Sequence, residues 1–210
     1  MATKRRNNIT VICEGDTEYN YLTELKKHID STLNIVPTNA KWGDYSKVLK
    51  KLKQTSAIGT VARFVLVDYD RCVTIENEDK NFIALLDYCK NEQKKGNPTF
   101  LVTSNPDFDI FVLNHNEKYK NQDKLTFIKD NYKYKTIETF KNDKSIFEKF
   151  NPNSKEYQNV CSRFDPKKYI ITNKYIFEQN KYSFRSMAII YNKDNEIYKI
   201  SNINDLFKIL

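Results

Sequence analysis

The chain has 210 residues, 40% hydrophobic and 13% aromatic, with only four glycines and five prolines. That is enough apolar material for one large domain, or a domain with an appended lobe, and it excludes a disordered or fibrous chain. The formal net charge of +8 fits a polyanionic partner, nucleic acid first, although the lysines are spread throughout and no arginine block concentrates the charge.

No apolar run approaches the roughly 20 residues of a membrane span, and nothing resembles a signal peptide, so the expected setting is the cytoplasm, away from membranes. The basic head Thr3–Arg6 reads as a solvated tail. Cys13, Cys72, Cys89 and Cys161 show no paired spacing, which argues against zinc, and Cys13 and Cys89 fall in apolar patterns as packed thiols. His28 and His115 are the only histidines, too few for a multi-histidine metal site.

In chain order, Ile9–Cys13 predicts a buried strand that runs into Glu14, a turn at Gly15 and a helix over about Thr17–Ile29. Asp16 is placed to cap that helix, and Glu18, Leu22, Leu25 and Ile29 form its inward stripe. Leu33–Val36 predicts a short strand closed by Pro37, and Asp44 caps a second helix. Arg63–Asp70 is the clearest strand, and its Phe64-Val65-Leu66-Val67 run is apolar on both faces, as a central parallel strand requires. Asp68 and Asp70 follow two apart, so an extended backbone would point both carboxylates the same way.

A helix over Glu78–Lys94 is broken by Gly96-Asn97-Pro98, and Thr99–Thr103 forms another strand. Asn105-Pro106-Asp107 reads as a cap and first-turn proline of the next helix. The alternation of strand and helix predicts an α/β fold, a Rossmann-like, mainly parallel sheet flanked by helices, over residues 1–123. From Lys124 short aromatic–lysine segments, broken at Pro152 and Pro166, predict a mostly helical lobe over 124–210, with helices at Tyr182–Tyr191 and Ile203–Leu210.

The candidate chemistry lies in the acids. Glu14, Asp68 and Asp70 each follow a predicted strand at its carboxyl end, where open α/β sheets bind ligands. Asp109 sits in the first turn after the fourth strand, and Asp16 and Glu18 follow Glu14 closely. Several carboxylates at one sheet edge suit hard divalent cations acting on phosphate. Each has a plainer reading: Asp16 as a helix cap, Glu18, Asp107 and Asp109 as acids complementing the helix dipole, and His115 as a packed core residue. Lys133, Lys135, Lys167 and Lys168 lie among tyrosines, a composition suited to phosphate contact with base stacking, or equally to a solvated surface around an aromatic core.

EGDTEYNYL, then VLVDYDR, then TSNPDFDIFVLNH, in that order, together resemble the RloB/AbiLii family of phage-defence loci, which is related to the Toprim metal-dependent nucleases. The resemblance spans Ile9 to His115. It implies a Toprim-like fold, with Glu14 as the Toprim glutamate, Asp68 and Asp70 as the metal-binding pair, and Glu18 and Asp109 as accessory acids. It also implies Mg²⁺ or Mn²⁺ as cofactor and an AAA- or ABC-type ATPase encoded nearby as partner. Asp109 stands where the family usually has Glu, one methylene shorter in reach. The tail Ser201–Asp205 lacks the family's usual proline-containing turn.

The expected function is therefore Mg²⁺-dependent cleavage of RNA (tRNA included) or DNA in antiviral defence, with Glu14, Asp68 and Asp70 carrying metal and catalysis. A non-catalytic module that binds nucleic acid or the ATPase as a sensor is the alternative. A phosphatase or glycosyltransferase built on Asp68-x-Asp70 is a third reading.

Overall fold

Apolar residues on both faces of three segments determine the centre of the molecule. In a computed structural model, which describes residues 7–29, 32–41, 44–151 and 160–210, these segments are β1 (Asn7–Cys13), β3 (Thr60–Asp68) and β4 (Thr99–Asn105). With the edge strand β2 (Leu33–Asn39) they run parallel in the order β2-β1-β3-β4. The head Thr3–Arg6 and the break at Pro152 lie outside the described residues.

Alternate side chains separate the two faces, as the period of two in a strand requires. Val11, Phe64 and Phe100 join one core layer with Tyr21, Leu22 and Leu25 of α1 (Asp16–His28). Ile12, Val65 and Leu101 join the opposite layer, covered by α2 (Tyr45–Gln54) and α4 (Glu78–Lys94). A short turn, α3 (Asp70–Thr74), lies between β3 and α4. Asp44 caps α2 as expected, its side chain accepting from the Lys47 N–H.

Several boundaries differ from the sequence reading. Pro37 does not close β2, which continues to Asn39, because an edge strand tolerates a residue without an N–H. Gly15, not Asp16, is the N-cap of α1; Asp16 is its first helical residue and accepts a hydrogen bond from Asn39 Nδ2 at 2.5 Å. Asn105 ends β4 rather than capping a helix, and α5 starts only at Asp109 (Asp109–Leu113).

The second half is not mostly helical. After the short helices α6 (Lys124–Tyr132), α7 (Ile137–Lys141) and α8 (Ile146–Phe150) comes an antiparallel hairpin, β5 (Ile171–Glu178) and β6 (Ser183–Tyr191). Tyr182–Tyr191, expected as helix, is thus largely strand. Ser186 within it adopts a left-handed φ of 51°, and the ladder shifts register opposite, between Lys174 and Ile176. Such a bulge breaks the alternation by which a strand is recognised. The last segments, β7 (Ile200–Ser201) and α9 (Asn204–Phe207), return to β4, so the five-stranded sheet draws on both halves of the chain.

Side-chain amides complete that edge. Asn173 of β5 accepts from Leu101 N–H at 3.3 Å and donates to its carbonyl at 2.8 Å, and Asn202 accepts from Thr103 N–H at 2.7 Å. Asp205 Oδ2 accepts from the amide groups of both asparagines. Asn173→Ala should leave the buried Leu101 N–H unpaired and its carbonyl with only the 3.4 Å contact from Asn202 Nδ2, and lower stability by about 2–4 kcal/mol. A thermal melt should show a drop of roughly 5–12 °C; an unchanged melt would contradict the role of Asn173 in completing the edge.

Candidate functional site

β1 and β3 lie side by side, and the sheet is built outward from them in opposite directions, β2 beside β1 and β4 beside β3. The space outside their carboxyl ends is therefore a topological switch point. Glu14 directly follows β1, and Asp68 ends β3. Glu14 N–H still pairs with the Leu66 carbonyl at 3.1 Å, which holds its side chain beside Asp68.

The carboxylates are fixed by backbone donors. Glu14 Oε2 accepts from Asp68 N–H at 3.0 Å, and Asp68 Oδ1 accepts from Phe108 N–H at 2.7 Å. The extended backbone expected to align Asp68 with Asp70 does not persist. Tyr69 turns to φ −90°, ψ −16°, and Asp70 opens α3. The turn is tied to the end of β4 through Tyr69 N–H to the Ser104 carbonyl (2.8 Å) and Asp70 N–H to the Pro106 carbonyl (3.0 Å).

Glu18 arrives from the buried stripe of α1. Gly15 has ordinary extended dihedrals, so its role is space: a Cβ there would lie 3.2 Å from Glu18 Oε2. Asp109, 1% exposed, completes the group from the start of α5. All five expected acids, Glu14, Glu18, Asp68, Asp70 and Asp109, line one cavity of about 330 Å³, with Arg71, Lys47 and Lys141 also in its wall.

Burial, and then the charge of Glu18, push the Glu14 carboxyl up to about 8. Burial raises Glu18 to about 7, with Asp109 adding to it. The Asp68 residue keeps some solvent contact, but its carboxyl is enclosed and is raised well above the usual range by burial, then by Glu18 and Glu14. Asp70 and Asp109 are raised by burial and by Asp107, Lys124 and Lys141 opposing the shift at Asp109. The cavity thus holds more carboxylates than it can keep charged without added cations.

Three residues given minor or no roles in the sequence emerge here. Asp107, read there only as a dipole-complementing acid, shares Lys124 with Asp109, and its buried Oδ1 has no hydrogen-bond partner among the described residues. Lys124 and Lys141 reach Asp109 from the helical segment at 3.0 and 3.7 Å. Spacing alone could not select them from 35 basic residues. Lys133, Lys135, Lys167 and Lys168 are exposed and do not line the cavity; Lys168 instead sits 5.2 Å from the Tyr198 ring centre. His115 is buried and shares a 2.9 Å hydrogen bond with Tyr21 OH, with burial and then Arg163 pushing its pKa down to about 3. It is a neutral packing group.

Among the described residues, no set of three or more His, Cys, Asp or Glu side chains is disposed to hold a metal ion as it stands. The donor chemistry nonetheless fits Mg²⁺ or Mn²⁺: hard oxygens and surplus negative charge in the cavity wall, with the Asp107 Oδ1, unpartnered among the described residues, in an adjoining cavity that Lys124 also lines. Metal would have to replace the lysine contacts of Asp109 and draw the Glu14 and Asp68 side chains together.

The profile of the family described as RloB-like protein matches residues 9–194, most of the chain and both halves of the fold. The chain belongs to the RloB-like family. This RloB-like protein finds no significant match among curated proteins or solved structures. Among its described residues no helix is long and apolar enough to cross a membrane.

Asp68→Asn keeps an acceptor for Phe108 N–H while removing one charge from the cavity. The metal-free variant should melt at or above the wild-type temperature, and its stabilisation by added Mn²⁺ should shrink. Equal Mn²⁺-induced shifts in the two proteins would argue against metal at Asp68.

Proposed function

We propose that this RloB-like protein is a Toprim-like, divalent-metal-dependent nuclease that hydrolyses phosphodiester bonds in RNA or DNA. The observation that supports this reading best is one cavity, at the switch point between β1 and β3, with seven carboxylates in its wall, the five expected acids together with Asp16 and Asp44, and Arg71, Lys47 and Lys141 beside them. Acids of that number suit Mg²⁺ or Mn²⁺, and interspersed cations suit the phosphate that would arrive with it. The glutamate after the first strand and the Asp-x-Asp after the neighbouring strand match the Toprim arrangement implied by the sequence resemblance.

Glu14, Asp68 and Asp70 would hold the metal, with Glu18, Asp107 and Asp109 as supporting acids. When bound, the ion would activate a water and neutralise charge developing on the phosphate. Glu14 is fixed on one oxygen by Asp68 N–H, while its other oxygen lies 3.9 Å from Arg71 Nε. That placement suits it to bind metal or to exchange a proton with the attacking water. Arg71, held at 3.5 Å by Glu78, presents its guanidinium to the cavity for a phosphate oxygen. The lysines of the second half, Lys133, Lys135, Lys167 and Lys168, could then touch only parts of a polynucleotide outside the cavity.

A role in antiviral defence and an AAA- or ABC-type ATPase partner rest on the family resemblance. A non-catalytic, sensing module is favoured by one observation, the pairing of Asp109 with two lysines in place of a preassembled metal shell. Cleavage separates the two readings. Glu14→Gln keeps the shape and the acceptor for Asp68 N–H but removes the carboxylate. With Mn²⁺ and the ATPase partner present, it should slow polynucleotide cleavage by roughly 10² or more while retaining binding. Wild-type cutting by this variant would overturn the assignment, and a wild type that binds but never cuts would favour the sensor.

A further inference from the structure

Asp109 faces two ammonium groups, and they are not equivalent. Lys124 hydrogen-bonds Asp109 at 3.0 Å, also binds Asp107, and is not among the cavity-lining residues. It already supplies the counter-charge that a buried aspartate needs. Lys141 lies at 3.7 Å, makes no hydrogen bond to any described residue, and forms part of the cavity wall. Its side chain is 24% exposed.

The placement of Lys141 is built into the fold. Thr136 and Thr139 form a reciprocal capping box that starts α7. The adjacent Phe140 is fully buried, edge-on to Tyr134 and Phe150, and fixes the backbone from which Lys141 projects. Asp68, Asp107 and Asp109 all act on its ammonium, and in return it lowers the proton affinity of Glu18, Asp70 and Asp109. Lys141 therefore adds to the cavity wall, beside Arg71 and Lys47, an ammonium without a hydrogen bond to any described residue, in the space where metal and phosphate would have to enter.

We infer that Lys141 is an exchangeable counter-ion, paired with Asp109 while the acids lack metal and released to a phosphate oxygen when a divalent cation takes the carboxylates. The inference rests on the phosphodiester reading of the site and adds a specific phosphate contact to it. Two consequences follow from charge alone. Lys141 competes with metal for the acids, so its removal should favour metal; it also attracts the phosphate, so its removal should weaken anion binding. A brace that merely supported the fold would produce neither opposing effect.

The test uses Lys141→Gln, Lys141→Arg and the exposed-lysine control Lys135→Gln, each titrated by calorimetry with Mn²⁺ alone and then, Mn²⁺-loaded, with inorganic phosphate. Lys141→Gln should bind Mn²⁺ about three- to tenfold more tightly and phosphate about tenfold or more weakly. Lys141→Arg should retain most of the phosphate affinity, and Lys135→Gln should match the wild type in both. Unchanged or weakened Mn²⁺ binding in Lys141→Gln, or unchanged phosphate binding, would overturn the exchange. Both effects in Lys141→Gln, together with a wild type that cuts no polynucleotide, would overturn the nuclease reading alone. A wild type that binds no Mn²⁺ would overturn both.

Discussion

Like charges held in one buried cavity are the constraint around which this molecule is arranged. Seven carboxylates line a single space at the end of the sheet, and each needs something to hold it against its neighbours. The backbone supplies part of that restraint, through Asp68 N–H to Glu14 and Phe108 N–H to Asp68. Lysines from the second half supply the rest at Asp107 and Asp109. The parallel order of β1, β3 and β4 is what brings these groups together, since all three strands deliver their following residues to the same edge.

The same constraint joins the two halves of the chain. Lys124 and Lys141 of the second half pair with Asp109, and residues 171–205 complete the β4 edge through Asn173, Asn202 and a two-residue strand. Phe111 and Phe207, from the two halves of the chain, pack ring against ring at 5.7 Å in one core layer. The acidic edge is thus supported by a core that both halves build.

The first half was legible because its signals are local. Phe64-Val65-Leu66-Val67 is apolar on both faces and can only be a central strand, and Glu14 and Asp68 follow such runs directly. Orientation beyond a strand end was not legible: Asp70 was expected to extend from β3, but hydrogen bonds from Tyr69 and Asp70 to the β4 tail bend it into a turn. In β6 the buried Phe184 and Ile189 are five residues apart, with a left-handed Ser186 between them, so the strand carries no clean alternation. The cations escaped for another reason. Lys124 and Lys141 differ from the other lysines only in where Phe127 and Phe140 anchor their helices, a tertiary fact without a sequence motif.

The most direct measurement of the metal claim is anomalous diffraction at the manganese edge from crystals of the wild type soaked in Mn²⁺. A peak is expected in the cavity between the Glu14 and Asp68 carboxylates, at about 2.0–2.3 Å from ligating oxygens, with Lys141 turned away from Asp109. Peaks confined to surface carboxylates, with the cavity empty at saturating Mn²⁺, would contradict a metal-dependent site at this edge.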